Sequence, residues 1–243
     1  MELDKRLVQV ASAFATASDK FGDLRESVAH KIYDCGAFQD KSQSEGGKGF
    51  RLKLHEKNPD APLSPVYFNL RTSDNPKPGP LTSEIVQAIS TLFYGMACMR
   101  QLKFNHVAGI PKAGNPFAYN LAESFLCATS LLTLGKTEEG GSRQIGAIES
   151  GKFEEGDTVL LIDNLITQAD SKLEAIKSLE MAGLRVADVV VLLDREQGGA
   201  RALRTAGYNL HAVFTITELL DLYLEEGLLD ESTYSEIRTY LAV

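Results

Sequence analysis

The chain has 243 residues, 44% of them hydrophobic and 24% charged, with a formal net charge of −8. That is the composition of an ordinary globular domain, long enough to bury a core without cross-links. The acidic balance excludes a general nucleic-acid surface, which would show a basic stripe, and no apolar run approaches the ~18 residues of a membrane span.

The N-terminal segment MELDKRLVQV is charged and has no apolar core of a signal peptide. The expected setting is therefore the cytoplasm, with no membrane or nucleic-acid partner. Cys35, Cys98 and Cys127 are odd in number and show no C-x-x-C spacing, so they read as idle thiols in a reducing compartment. His30, His55, His106 and His211 are scattered and define no metal site.

In chain order, residues 2–38 read as helical: Leu24, Val28, Ile32 and Cys35 share one stripe at helical spacing. DKSQSEGGKGF and NPDAPLSP are loop-like and flank a short expected strand, FRLKL. VYFNLR alternates as a strand does, and RTSDNPKPGP is a second break. A long helix follows over SEIVQAISTLFYGMACMRQL, with Ser83 as a partial cap, then strand FNHVAGI and helix NPFAYNLAESFLCA with Pro116 near its start. SLLTL is the next expected strand and GKTEEGGSRQIG a loop. TVLLID and VADVVVLLD are strands separated by a helix that ends at Gly183. GGARALRTAG is a short helix, LHAVFTI a strand, and two helices close the chain.

Alternating strands and helices predict an α/β fold, a parallel sheet with helices on both faces. TVLLI and VVVLL are continuous apolar runs, as strands buried on both faces require. Ligands in such sheets bind beyond the carboxyl ends of the strands. The segments after Ile110, Leu134, Ile162 and Leu193 are the candidates.

VLLIDNLITQADSK, residues 159–172, combines an apolar strand, an acidic strand end, a short loop and a helix start. Loop N–H groups and a helix dipole suit a phosphate. The segment resembles the 5-phosphoribosyl-1-diphosphate (PRPP) signature of type I phosphoribosyltransferases, an apolar strand followed by D-D-x-x-T-x-G-x-S. VVVLLDREQGGARALRTAGYNLHAVFTITELLDLY is similar to the C-terminal part of the orotate branch, with its D-R-x-x-G turn. LSPVYFNLR resembles the S-P-x-Y-x-D-L-R hood strand, and AGIPKAGNPFA the pyrophosphate loop. These four segments occur in the family's order across residues 24–240.

The resemblance implies a Rossmann-like core over residues 81–243 beneath an N-terminal helix and hood over residues 1–80. It implies transfer of phosphoribosyl from PRPP to orotate, with Mg²⁺ carried on the pyrophosphate and no direct protein ligand to the metal. A homodimer is expected, because in this family the mobile loop reaches the partner's site. Asp163 and Asn164 match the acidic pair at the ribose hydroxyls. Thr167 and Ser171 match the hydroxyls around the 5′-phosphate, with Gln168, Ala169 and Asp170 between them. Lys112, Ala113 and Gly114 occupy the pyrophosphate loop, and Lys136 and Arg143 stand for the mobile-loop cations. Arg195 matches the arginine that pairs with the orotate carboxylate, a role suited to its planar fork. Lys53 matches the hood lysine over the base. Without the flanking matches, Asp194–Arg195 reads as a plain surface ion pair and Lys53 as a solvated lysine.

Several positions depart from the family pattern. Asn164 carries no charge, Gln168 replaces a small hydroxyl residue, and Ala169 replaces a glycine that lets backbone approach phosphate. Asp170 brings a carboxylate into the cradle; two unit charges ~5 Å apart repel by about 3 kcal/mol at an effective dielectric of ~20. Asp170 is also a good helix N-cap, and Ser171 with Glu174 has capping-box spacing. The expectation is that this carboxylate caps the helix in place of a ligand phosphate. From Gly135 to Arg143 there are two basic and two acidic residues, a formally neutral clamp. Two readings follow: an orotate phosphoribosyltransferase, or a non-catalytic relative that binds a nucleotide or a protein.

Overall fold

A computed structural model describes residues 19–52, 55, 58–125, 130–139 and 142–242, the side chains of 125, 130, 136–139 and 142–144 aside. The expected helix over 2–38 is present over 19–34, and its earlier part lies outside the described residues. Strands β1 (Phe38–Asp40) and β2 (Val66–Phe68) form a small antiparallel sheet in which Phe38 stands opposite Phe68. Of the expected strand FRLKL only residues 50–52 are described, and there Phe50 makes one isolated bridge to Ser64; Lys53 and Leu54 lie outside the described residues.

The main sheet contains β3 (His106–Gly109), β4 (Ser130–Glu139), β5 (Ser142–Ser150), β6 (Thr158–Ile166), β7 (Arg185–Asp194) and β8 (Asn209–Thr215), ordered β5-β4-β3-β6-β7-β8. All neighbours are parallel except β4 and β5. The α/β fold and its mostly parallel sheet are thus as the alternation predicts. Successive residues of the central strands point to opposite faces. Leu160, Ile162, Val190 and Leu192 enter one core, while Val159, Leu161, Val189 and Val191 enter the other.

The first core joins the helix 19–34, the hood strands, the helices Ser83–Met99, Ile216–Glu225 and Glu231–Leu241, and one sheet face. Tyr223 donates to the Ala29 carbonyl and Tyr33 to that of Leu228, tying the first described helix to the last ones. The second core lies under helix Asp170–Met181.

Local chemistry sets the helix boundaries. Thr82, rather than Ser83, caps its helix by accepting the N–H of Ile85. Thr215 and Glu218 form a complete capping box. Gly183, at φ +89°, takes the left-handed position after helix Asp170–Met181.

Two sequence expectations are corrected. GKTEEGGSRQIG is not a loop after Leu134. It continues as paired strands, with Glu138 opposite Arg143 and Glu139 opposite Ser142. That register pairs β4 and β5 as consecutive antiparallel strands, and residues 140–141 lie outside the described residues. Nor does β6 end at Asp163. It runs on through Ile166, which pairs with Asp194 of β7.

Candidate active site

The carboxyl ends of β3, β6 and β7 meet beside the small β1–β2 sheet. After β3, Ile110–Gly114 makes a tight turn into helix Asn115–Phe125, closed by Gly114 N–H on the Ile110 carbonyl at 2.8 Å. The turn sits against β6: Ile110 N–H donates to the Ile162 carbonyl at 2.8 Å. A Cβ on Gly114 would stand 2.3 Å from the Ile162 carbonyl oxygen, so only glycine permits this approach. Within the turn Lys112 is exposed and Ala113 half-buried, and the Pro111–Lys112 peptide is cis.

On β6, Asp163 and Asn164 are buried, and their polar atoms are occupied by the protein. Asp163 Oδ1 accepts the N–H of Asn164 at 2.8 Å. Asp163 Oδ2 is ion-paired with the ammonium of Lys172, which also donates to the Leu165 carbonyl at 2.6 Å. The Asn164 amide donates to the Leu70 carbonyl at 2.9 Å, and its oxygen accepts the N–H of Leu165 at 2.7 Å. The floor of the site is thereby bonded to its own helix on one side and to the chain following the hood strand on the other.

The turn after β6 runs through Thr167, half-buried, and Gln168, exposed, to Ala169, buried with φ +63°. This is the left-handed region, where a Cβ costs about 1–2 kcal/mol. The family glycine therefore stood at a position that needs one. Asp170 is not the N-cap: Ala169 holds that position without a side-chain bond, and Asp170 is the first helical residue. The expected Asp170 cap is corrected, because the left-handed residue moves the helix start forward by one. Asp170 still stands in the first turn, where the helix dipole favours a carboxylate. Ser171 follows, half-buried.

After β7, Arg195 is bonded through its backbone N–H to the Ile166 carbonyl at 3.0 Å. Its side chain is 2% exposed, so the surface ion-pair reading is overturned. Nη2 makes two long contacts to the hood, 3.3 Å to Ser64 Oγ and 3.4 Å to the Val66 carbonyl, and buried Nε has no acceptor. Burial pushes the guanidinium down to about 10. Asp194 does not pair with it; that carboxylate accepts the N–H of Glu196 at 2.9 Å, and burial pushes its pKa up. The helix that follows the D-R-x-x-G turn, Gly199–Thr205, starts against the end of β6: a Cβ on Gly199 would lie 2.6 Å from the Thr167 carbonyl oxygen.

Asp163, Asn164, Thr167, Ala169, Asp170, Ser171, Gly114 and Arg195 therefore lie on three adjoining strand ends, joined by the bonds just described. Lys136 and Arg143 belong to the β4–β5 hairpin, where Lys136 stands opposite Ile145. Lys53 lies outside the described residues. Lys172 was missed in the sequence, yet a signal was present. It shares helical spacing with Ala175, Ile176 and Leu179, and all four are buried. Among the described residues no group of three or more His, Cys, Asp or Glu could hold a metal ion. No helix among them is long and apolar enough to cross a membrane. A separate open groove of about 710 Å³, lined by Arg100, Lys103, Arg185, Asp188 and His211, lies at the opposite, amino-terminal end of β6–β8.

Residues 82–206 match the family described as the phosphoribosyl transferase domain. The orotate phosphoribosyltransferase of Chlamydia caviae is 41% identical over 223 residues, covering 90% of this chain and 95% of that protein. Bovine uridine 5′-monophosphate synthase is 28% identical over 178 residues, 73% of this chain; the chain spans only 35% of that relative's length. The Leishmania donovani UMP synthase structure superposes with a TM-score of 0.68 at 25% identity, over 89% of this chain and 42% of that one. The Aeropyrum pernix orotate phosphoribosyltransferase structure, at 21% identity, shares the fold with a TM-score of 0.60 over 80% of this chain and 98% of that one. The chain belongs to the phosphoribosyltransferase family, and its relatives include orotate phosphoribosyltransferases.

Proposed function

We propose that this protein is an orotate phosphoribosyltransferase of pyrimidine nucleotide synthesis, transferring the ribose 5-phosphate group of PRPP to orotate. The observation that carries this reading is Arg195. A buried guanidinium with one unsatisfied N–H and two long contacts is costly unless an anion completes it. The carboxylate of orotate is a planar acceptor of the right kind.

In the reaction the bond from ribose C1′ to the pyrophosphate oxygen breaks, and a bond from C1′ to the base nitrogen forms. Catalysis is positional and electrostatic. Arg195, with Lys53 from the hood, orients the base. Asp163 and Asn164 face the ribose hydroxyls. Thr167, Gln168, Ala169, Asp170 and Ser171 surround the 5′-phosphate, while Lys112, Ala113 and Gly114 receive the pyrophosphate. Lys136 and Arg143 cover the leaving group from the hairpin, in a homodimer from the partner's side. Mg²⁺ carried on the pyrophosphate would neutralise part of its charge. In this reading residues 1–80 form a helix and hood over the 81–243 core.

A non-catalytic nucleotide-binding relative is the second reading. It is favoured by a cradle that contains Asp170 and by an Asp163–Asn164 pair already bonded within the protein. Calorimetry with PRPP and Mg²⁺, followed by a pyrophosphate-release assay with orotate, separates the two. Release supports the enzyme; binding without release supports the relative; neither overturns the phosphoribosyl reading. Light scattering should give twice the chain mass, and a monomer at micromolar concentration counts against the partner-supplied hairpin.

A further inference from the structure

The one buried lysine described on the apolar stripe of helix Asp170–Met181 ends at the carboxylate that the family uses for the ribose. We infer that Lys172 is a positioning residue and a built-in counter-cation for Asp163, and that it reduces the dependence of PRPP binding on divalent metal. This rests on the phosphoribosyl reading given above.

The geometry supplies the reasons. Lys172 is 4% exposed and Asp163 is 4% exposed, so neither charge is screened by bulk water. The ammonium has three protons; one is on Asp163 Oδ2 and one on the Leu165 carbonyl. These two bonds fix the Asp163 side chain and the β6 backbone two residues later in one arrangement. The charge count at the ribose floor changes accordingly. The family pattern places two carboxylates there. This chain has one carboxylate, one amide and one ammonium, which sum to zero.

A doubly negative floor repels a polyanion unless metal lies between them. A neutral floor does not. Lys172 performs part of the neutralisation that a divalent cation otherwise supplies, and it does so permanently because it belongs to the fold. The oxygen lone pairs of Asp163 beyond those used by Lys172 and Asn164 remain available for a sugar hydroxyl.

The test is calorimetric titration of the full chain with PRPP across a Mg²⁺ series, from chelator alone to saturation. Wild type is compared with Lys172→Met, which keeps the unbranched stem and removes the charge. At low Mg²⁺ the variant should bind PRPP about ten-fold or more weaker, from one uncompensated negative charge near the phosphates. Saturating Mg²⁺ should recover most of that loss. Because Lys172→Met leaves an unpaired buried carboxylate and is able to unfold the protein, Asp163→Asn/Lys172→Met is measured as well. Removing both charges of a buried pair is tolerated far better than removing one. The double variant should restore the weak metal dependence while losing affinity evenly across the series. Equal loss for Lys172→Met at every Mg²⁺ level, or no loss in a folded variant, overturns the inference alone. If Lys172→Met does not fold, a double variant more metal-dependent than wild type overturns it. Wild type that binds no PRPP even at saturating Mg²⁺ overturns the phosphoribosyl reading, and this inference with it.

Discussion

The two halves of the site are satisfied to opposite degrees. On the β7 side, Arg195 is buried with an orphan N–H and only long contacts to Ser64 and Val66. On the β6 side, Asp163 and Asn164 have short bonds to Lys172, Leu165 and Leu70. An under-satisfied buried cation is a cost that folding alone does not require, and it identifies where a ligand anion belongs. A carboxylate–amide pair already bonded within the protein stabilises the apo state and leaves a ligand only the remaining lone pairs. In the proposed reading the base half is kept ready for its ligand, and the ribose-phosphate half is already engaged by the protein.

The largest expected effect breaks the base half. Arg195→Ala should weaken orotate or its nucleotide by about a hundred-fold or more, the magnitude of a lost buried charge-assisted pair. Stability should hold or rise, because an uncompensated buried charge is removed. Calorimetry and urea unfolding read the two quantities. Unchanged affinity places the orotate carboxylate elsewhere.

The next effect is on pH. Arg195 has its pKa lowered by burial to about 10, well below the ordinary arginine range. Carboxylate binding needs the charged form, so orotate affinity should be flat below about pH 9 and fall about ten-fold per unit above the folded value. The linkage sign for stability is the reverse. From about 10 up to the ordinary arginine range the unfolded chain binds the extra proton, so this group's contribution to stability rises with pH across that window. Affinity that is flat to pH 11, with the fold intact, contradicts the assignment.

Much of the fold was legible because its signals are local and redundant. TVLLID and VADVVVLLD could be nothing but strands buried on both faces, and their carboxyl ends located the site. SLLTL was legible as a strand, but its continuation after Leu134 was not, because glutamates and glycines give that stretch loop composition. Thr82 was overlooked as a cap in favour of its neighbour. At the site, the motif residues were found by order and spacing. What their side chains bond to was not, since Leu70, Ser64 and Lys172 approach through tertiary contacts. Asp170 was misjudged as a cap because one left-handed residue, Ala169, shifts the helix start.

The ribose-phosphate half can be reopened. Ala169→Gly with Asp170→Thr should strengthen PRPP binding about ten-fold, by removing like charge and letting backbone approach the phosphate. Losing Asp170 from the first helical turn forfeits about 0.3–1 kcal/mol of dipole interaction, to be read in urea unfolding. Tighter binding without pyrophosphate release would place the second lesion in the formally neutral hairpin. No change in binding would mean that the Asp170 carboxylate points away from the phosphate.

The smallest effect isolates the backbone from the charge. Ala169→Gly alone relieves a left-handed alanine, a gain of about 1–2 kcal/mol. Glycine returns freedom to the unfolded chain, a loss of about 0.4–1 kcal/mol. The alanine methyl is buried in the second core, and its removal costs up to about 0.8 kcal/mol. The three terms nearly cancel, so the net change in unfolding free energy should stay within about 0.5 kcal/mol. PRPP affinity should rise less than in the double variant, because Asp170 remains. A large destabilisation would show that the methyl is a needed part of the core beneath helix Asp170–Met181. A near-zero change with better binding would instead make the alanine a loss of function that the fold barely registers, leaving the contrast between the two halves of the site to ligand chemistry rather than stability.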